Sequence, residues 1–119
     1  MKIGIIEDDD TILYTLTLKL KKEGYEVVGS SNGMDGLEMI EREKPNLVVV
    51  DILLPMLSGM QVIGKVRENE QLKHIPILVL TTLGQEENIQ EAFELGADDY
   101  LRKPVSLMEL TLRIKKLLK

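Results

Sequence analysis

The stretch Leu47-Val48-Val49-Val50-Asp51-Ile52-Leu53-Leu54-Pro55-Met56-Leu57-Ser58-Gly59 decides how the chain is read. Four consecutive apolar residues, three of them β-branched, run into a single carboxylate and then into a Pro- and Gly-marked turn. A continuous apolar run of this length suits a parallel strand covered on both faces, because such a strand has no solvent side on which to alternate. Ile77-Leu78-Val79-Leu80 repeats the pattern and ends in Thr81-Thr82.

Outward from that stretch, residues 3–6, 25–28, 47–50, 77–80 and 100–101 read as strands, and the segments between them carry helical periodicity. Residues 11–23 place Ile12, Leu16 and Leu20 on one stripe before Gly24, a residue suited to a helix C-terminus. Residues 35–44 repeat Gly36, Met39 and Ile40 before Pro45, and residues 60–68 carry Val62, Ile63 and Val66. Residues 85–95 carry Ile89, Ala92 and Phe93 before Gly96. Residues 106–118 start at Ser106 as N-cap and align Leu107, Leu110, Ile114 and Leu117. Five strand–helix repeats give an α/β fold, a (βα)5 doubly wound, five-stranded parallel sheet with right-handed crossovers.

The 119 residues fit one domain, 1–119, which at this size buries roughly two-thirds of the surface of its unfolded chain. Without cysteine, thiolate nucleophiles and Cys-based zinc or iron–sulfur sites are excluded. No signal-peptide pattern is read in Met1–Ile6 ahead of the acidic run, and no apolar run approaches the roughly 20 residues that span a bilayer. The expectation is a cytoplasmic protein that does not enter membranes. A net charge of −5 argues against direct nucleic-acid binding by this domain. The lone His74 reads as a surface residue, having no visible metal or triad partner.

In a doubly wound sheet, ligands sit beyond the carboxyl ends of the strands. Glu7-Asp8-Asp9-Asp10 follow the first strand, Asp51 ends the third, Thr81 ends the fourth and Lys103-Pro104 follow the fifth. Carboxylates brought to one rim repel, and either raise one another's pKa or recruit a cation. With no His or Cys nearby the hard oxygens of Glu7, Asp8 and Asp51 favour Mg²⁺. A carboxylate is also a competent nucleophile toward a phosphoryl group, and Lys103 and Thr81 would supply an ammonium and a hydroxyl. Each residue alone has a plainer reading: a helix N-cap for Asp9 or Asp10, a turn for Asp51, an ordinary strand position for Thr81. Their joint placement at successive strand ends favours phosphoryl chemistry.

At these residues the sequence resembles the response-regulator receiver family over its whole length. Ile6-Glu7-Asp8-Asp9 matches the family's acidic pair, the Asp51–Gly59 segment its phosphoacceptor loop, Pro76–Thr81 its switch-hydroxyl strand, and Gly96-Ala97-Asp98-Asp99-Tyr100-Leu101-Arg102-Lys103-Pro104 its final signature. The resemblance implies the strand order 2-1-3-4-5 and a phosphoacceptor switch rather than an enzyme with turnover. It assigns phosphorylation to Asp51, Mg²⁺ to Glu7, Asp8, Asp51 and the Leu53 backbone carbonyl, phosphoryl contact to Lys103, and switching to Thr81 and Tyr100. It also implies a cis Lys103–Pro104 bond and a histidine kinase or histidine phosphotransfer protein as donor. Readout would run through the face of residues 85–95, the fifth strand and residues 106–118, with a homodimer forming there on phosphorylation. The pattern is nearest the winged-helix transcription regulators, with Asp98, Asp99, Glu109 and Arg113 in place but Ile89 where a basic residue often stands. Thr82 replaces a smaller residue. Leu53 and Leu83 flank the expected approach of hydrolytic water, which suggests a slowly hydrolysed acyl phosphate.

Two alternatives fit less well. A flavin module would need a Gly/Ser/Thr-rich phosphate loop where this chain has four acids. An aspartyl-phosphate phosphatase would need a hydroxyl residue where Ile12 stands, and a cap domain.

Overall fold

The computed structural model describes residues 1–82 and 86–119, apart from the side chain of Glu86. Strands β1 (Lys2–Ile6), β2 (Glu26–Ser30), β3 (Leu47–Asp51), β4 (Ile77–Thr81) and β5 (Asp99–Arg102) alternate with helices α1 (Asp10–Lys22), α2 (Gly33–Glu43), α3 (Gly59–Glu68), α4 (Glu86–Leu95) and α5 (Leu107–Leu117). All strand pairs are parallel, in the order β2-β1-β3-β4-β5, which is the order expected.

Every residue of β3 and β4 is buried, which is why their sequences do not alternate. Side-chain alternation instead divides them between two cores. Val48, Val50, Ile77 and Val79 join Ile6, Met39, Ile40, Val62, Ile63, Val66 and Ala92 on the α2–α3–α4 face. Leu47, Val49, Leu78 and Leu80 join Ile3, Ile5, Leu16, Leu20, Leu110 and Ile114 on the α1–α5 face.

Several boundaries differ from the sequence reading. β2 runs Glu26–Ser30 rather than 25–28, because Tyr25 turns into the α1–α5 core. β5 extends one residue each way, to Asp99–Arg102. α2 starts at Gly33 rather than Asp35, because Asn32 is its N-cap and accepts from Asp35 N at 2.8 Å. It closes on Lys44 in the left-handed region (φ 45°), so the stop precedes Pro45. The stripe expected on α4 is narrower: Ala92 is buried, but Phe93 is 42% exposed. Gln85, the expected start of that helix, lies outside the described residues. A complete capping box joins Ser58 and Gln61 at the head of α3. Asp9, of the two candidates, caps α1. His74 is exposed, and Lys103–Pro104 is cis.

Candidate functional site

Parallel pairing delivers the ends of β1, β3, β4 and β5 to one rim. Glu7 follows β1 directly and its N–H continues the ladder to Ser30 O. Asp51 closes β3 opposite Leu80, so Thr81 lies one residue further along the neighbouring strand. Lys103 follows β5, its own N–H bonded to Thr81 O at 2.7 Å, which extends the β4–β5 ladder to the lysine.

The turn after Asp51 is held by close backbone approaches. A Cβ on Gly59 would run into the Asp51 carbonyl and the Ile52 Cα, so only glycine lets α3 begin against the end of β3. A Cβ on Gly33 would likewise meet Leu57 O, and Gly33 N bonds Pro55 O at 3.2 Å. α2 and α3 thereby brace both sides of the loop that leaves Asp51.

Asp51 is 4% exposed. Its Oδ1 accepts from Leu53 N at 3.2 Å and its Oδ2 from Lys103 Nζ at 2.7 Å. The same Nζ lies 2.6 Å from Glu7 Oε1. That oxygen is fully buried and receives no well-directed hydrogen bond among the described residues, so its contact with the ammonium is chiefly ionic. Glu7 Oε2 accepts from Asp9 N at 3.0 Å, so the N-cap of α1 also braces the acidic site. Oxygens of Glu7, Asp8 and Asp51 lie within 4.8 Å of one another, Asp8 from the exposed side.

Burial pushes the Glu7 carboxyl up from 4.5 to about 7; the adjacent Lys103 ammonium and the bond from Asp9 N–H pull against that, and the Asp51 charge adds to it. Burial depresses Lys103, but its contacts with the Asp51 and Glu7 carboxylates outweigh the loss and hold it above 10.5. Two buried carboxylates and one lysine, with a third carboxylate at the solvent side, form a cluster that could hold a metal ion.

The residues named from sequence therefore fall into four groups. Glu7, Asp8, Asp51 and Lys103 come together. Thr81 is fully buried at the adjoining strand end, its hydroxyl 3.4 Å from Thr82 O. Tyr100 stands further back on β5 opposite Val79, packed on the α2–α3–α4 core. Leu53 is 59% exposed beside Asp51, while Leu83, its expected counterpart, lies outside the described residues. Sequence reasoning gave Asp9 only a cap. A signal for more was available: a residue two positions after a buried carboxylate can offer it a backbone N–H. Arg113, read as a dimer residue, donates to Asp99 Oδ1 at 2.7 Å within the chain.

Comparison with known proteins agrees with this geometry. The family described as "Response regulator receiver domain" matches residues 3–115. The alkaline phosphatase synthesis transcriptional regulatory protein PhoP of Bacillus subtilis is 38% identical over 118 residues, covering 99% of this chain and 48% of PhoP. The transcriptional regulatory protein SrrA of Staphylococcus aureus is 40% identical with the same coverage. The chain thus spans about half the length of these relatives. A response regulator receiver domain protein from Clostridium thermocellum superposes with a TM-score of 0.91 at 31% identity, over 98% of this chain and 93% of that one. The receiver domain of the sensor histidine kinase PA1611 from Pseudomonas aeruginosa, solved with a magnesium ion coordinated in its active site cleft, gives 0.90 at 25% identity, over 98% and 96%. The α/β fold, the rim of strand-end carboxylates and the match along nearly the whole chain lead to one assignment: this chain belongs to the response regulator receiver domain family.

Proposed function

We propose that Asp51 accepts a phosphoryl group from a phosphohistidine on a histidine kinase or histidine phosphotransfer protein, and that residues 1–119 act as the receiver unit of a cytoplasmic two-component switch. The observation that carries this reading is the Asp51 carboxylate, held nearly buried at a strand end between the Leu53 N–H and the Lys103 ammonium. An oxygen of Asp51 forms a bond to phosphorus as the bond from phosphorus to the donor imidazole nitrogen breaks. The electron pair goes to that nitrogen, which takes up a proton. Such transfer depends on positioning and charge neutralisation more than on acid–base groups.

Glu7, Asp8, Asp51 and the Leu53 backbone carbonyl would hold Mg²⁺. The donors fit: the clustered side-chain ligands are hard carboxylate oxygens, Glu7 Oε1 is buried without a directed donor, and exposed Asp8 leaves room for the water this ion retains. When bound, the ion neutralises phosphoryl oxygens and relieves the crowding of the carboxylates. Lys103, a point charge on a flexible stem, would follow the new phosphoryl oxygens away from Glu7. Thr81 would turn its hydroxyl to them, and Tyr100 would change rotamer as Thr81 moves. One acceptor is modified per round, so the chain is a signalling switch whose own residues assist transfer and slow hydrolysis.

The altered surface is proposed to be α4-β5-α5, with a homodimer through it. The Arg67–Asp98 and Arg113–Asp99 pairs are already made within the chain, so a dimer using those charges must exchange them. PhoP and SrrA are transcriptional regulators; we read the control of transcription as an output to which this acidic domain contributes no direct DNA contact.

Incubation with Mg²⁺ and acetyl phosphate, followed by intact mass measurement, tests the reading. One phosphoryl group should add to the wild-type chain and none to Asp51→Asn. Equal labelling of both, or labelling unaffected by a chelator, overturns it.

A further inference from the structure

α4 is weakly seated. Of its described residues only Ala92 is buried, whereas α3 buries Val62, Ile63 and Val66 besides Gly59. Its C-terminal end is nevertheless fixed. Arg67 of α3 donates to Gly96 O at 2.9 Å and to Asp98 Oδ2 at 3.0 Å, and Asp98 Oδ2 accepts in turn from Ile77 N at 2.8 Å. The helix is thus pinned where it meets β5, with its other end toward the phosphoacceptor rim.

Between the pinned end and the rim, one aromatic contact among the described residues joins α4 to the sheet. The rings of Phe93 and Tyr100 meet edge to face, with centroids 6.1 Å apart and planes at 87°. Tyr100 has a fixed backbone: it pairs with Val79 on β4, its N–H is bonded to Asp99 Oδ1 and its carbonyl accepts from Arg113. The part left to change is its side chain, which packs on the α2–α3–α4 core and on Phe93. An edge-to-face pair favours one ring arrangement, so rotation of Tyr100 forfeits the contact, and loss of the contact frees Tyr100.

We infer that Phe93 is the positioning residue for Tyr100 and transmits its movement to α4, which pivots on the end held by Arg67. This rests on the proposed Asp51–Thr81–Tyr100 switch and names the step that carries it to a helix. Phe93 is not one of the rim residues Glu7, Asp8, Asp51 and Lys103, so it is assigned to the readout and not to the transfer. At 42% exposure it is replaceable without loss of the core.

The test uses the full chain labelled with 3-fluorotyrosine, in which Tyr100→Phe assigns the ¹⁹F signal of Tyr100 among the three tyrosines. Mg²⁺ with beryllium fluoride stands in for the acyl phosphate. In the wild type, beryllium fluoride should shift the Tyr100 signal and alter amide exchange across α4. In Phe93→Leu the Tyr100 signal should already be displaced without beryllium fluoride, and the α4 response should shrink by about fivefold, the factor an aromatic pair contributes. Phe93→Tyr should restore both, and acetyl phosphate should label all three chains at equal rates. If Phe93→Leu responds as the wild type does, the role of Phe93 is overturned and the switch reading stands. If beryllium fluoride leaves the wild-type Tyr100 signal unmoved, the Tyr100 switch and this inference fall together.

Discussion

The two rims of the sheet each hold a charge cluster between an aspartate and a basic side chain, and the clusters are built on opposite principles. At the rim of strand starts, Arg67 donates to Gly96 O, Lys73 O, Ile75 O and Asp98 Oδ2, and Asp98 Oδ2 also takes the Ile77 N–H. Four chain segments are tied by directed bonds, with one positive group facing one negative group. At the rim of strand ends, one ammonium faces two buried carboxylates and Glu7 Oε1 lacks a directed donor. The first cluster is closed and serves stability. The second keeps negative charge in excess and leaves an oxygen without a directed donor, as the cation and phosphoryl group proposed for it would require. Burial and an ion pair alone do not distinguish a structural cluster from a reactive one; the count of unmet valences does.

The largest expected effects would sharpen that contrast. Asp51→Asn should abolish phosphoryl uptake while changing folding stability by no more than about 1 kcal/mol, because it relieves like-charge crowding as it loses an ion pair. Intact mass and urea unfolding measure the two quantities on the same sample. Arg67→Ala should do the reverse. Leaving two part-buried carbonyls, Gly96 O and Ile75 O, without this donor should cost about 2–3 kcal/mol, read as a lower urea midpoint, while Asp51 still labels under native conditions. An Arg67→Ala chain that is fully stable would show that the starting rim is not the closed cluster its bonds suggest.

A smaller effect separates the rims by pH. In the absence of divalent cations Glu7 titrates at about 7 in the folded chain, against its ordinary 4.5. A raised acid pKa means that the folded state holds the proton more tightly. Its contribution to stability is therefore complete below about 4.5 and is lost as pH rises through about 7. With a chelator present, the wild-type urea midpoint should fall relative to Glu7→Gln across pH 5 to about 8. The difference between the two chains isolates this group from other titrations. With Glu7 as the proposed ligand, Mg²⁺ would compete with the same proton, so its affinity should fall by about tenfold per unit as pH drops below the Glu7 value. Calorimetry in buffers of differing ionisation enthalpy would register the released proton. A Mg²⁺ affinity flat from pH 5 to 8 would remove Glu7 from the metal site.

How much of this the sequence disclosed depends on range. β3 and β4 were plain because burial on both faces leaves an uninterrupted apolar run, and the parallel arrangement then required Glu7, Asp51, Thr81 and Lys103 to share a rim. The start of α2 was less plain, since Asn32 is an N-cap that a Ser-Ser-Asn-Gly stretch disguises as loop. The Arg67 cluster was not legible at all. Its acceptors are mostly backbone carbonyls, which carry no residue type, and Asp98 is 31 positions away. Lys103 was expected to face a phosphoryl group; its contact with Glu7 depends on side-chain reach that spacing does not encode. Phe93 read as core because periodicity gives the direction of a stripe and not its width.

Glycines draw the same line between the rim that works and the frame that holds it, and they supply the smallest prediction. Gly59 and Gly33 stand where a Cβ would strike the backbone of the Asp51 loop, so Gly59→Ala should both destabilise the chain and slow labelling by shifting the carboxylate. Gly64 lies mid-helix in α3 with nothing within 4 Å of a Cβ built on it. There the missing side chain avoids no clash and leaves the unfolded state more conformational freedom. Gly64→Ala should accordingly stabilise the chain by about 0.5–1 kcal/mol, seen as a raised urea midpoint, with acetyl phosphate labelling unchanged. If the substitution stabilises and labelling by acetyl phosphate holds while transfer from a phosphorylated partner slows, the open space beside Gly64 is kept for that partner, and the division between working rim and passive frame has to be redrawn through α3.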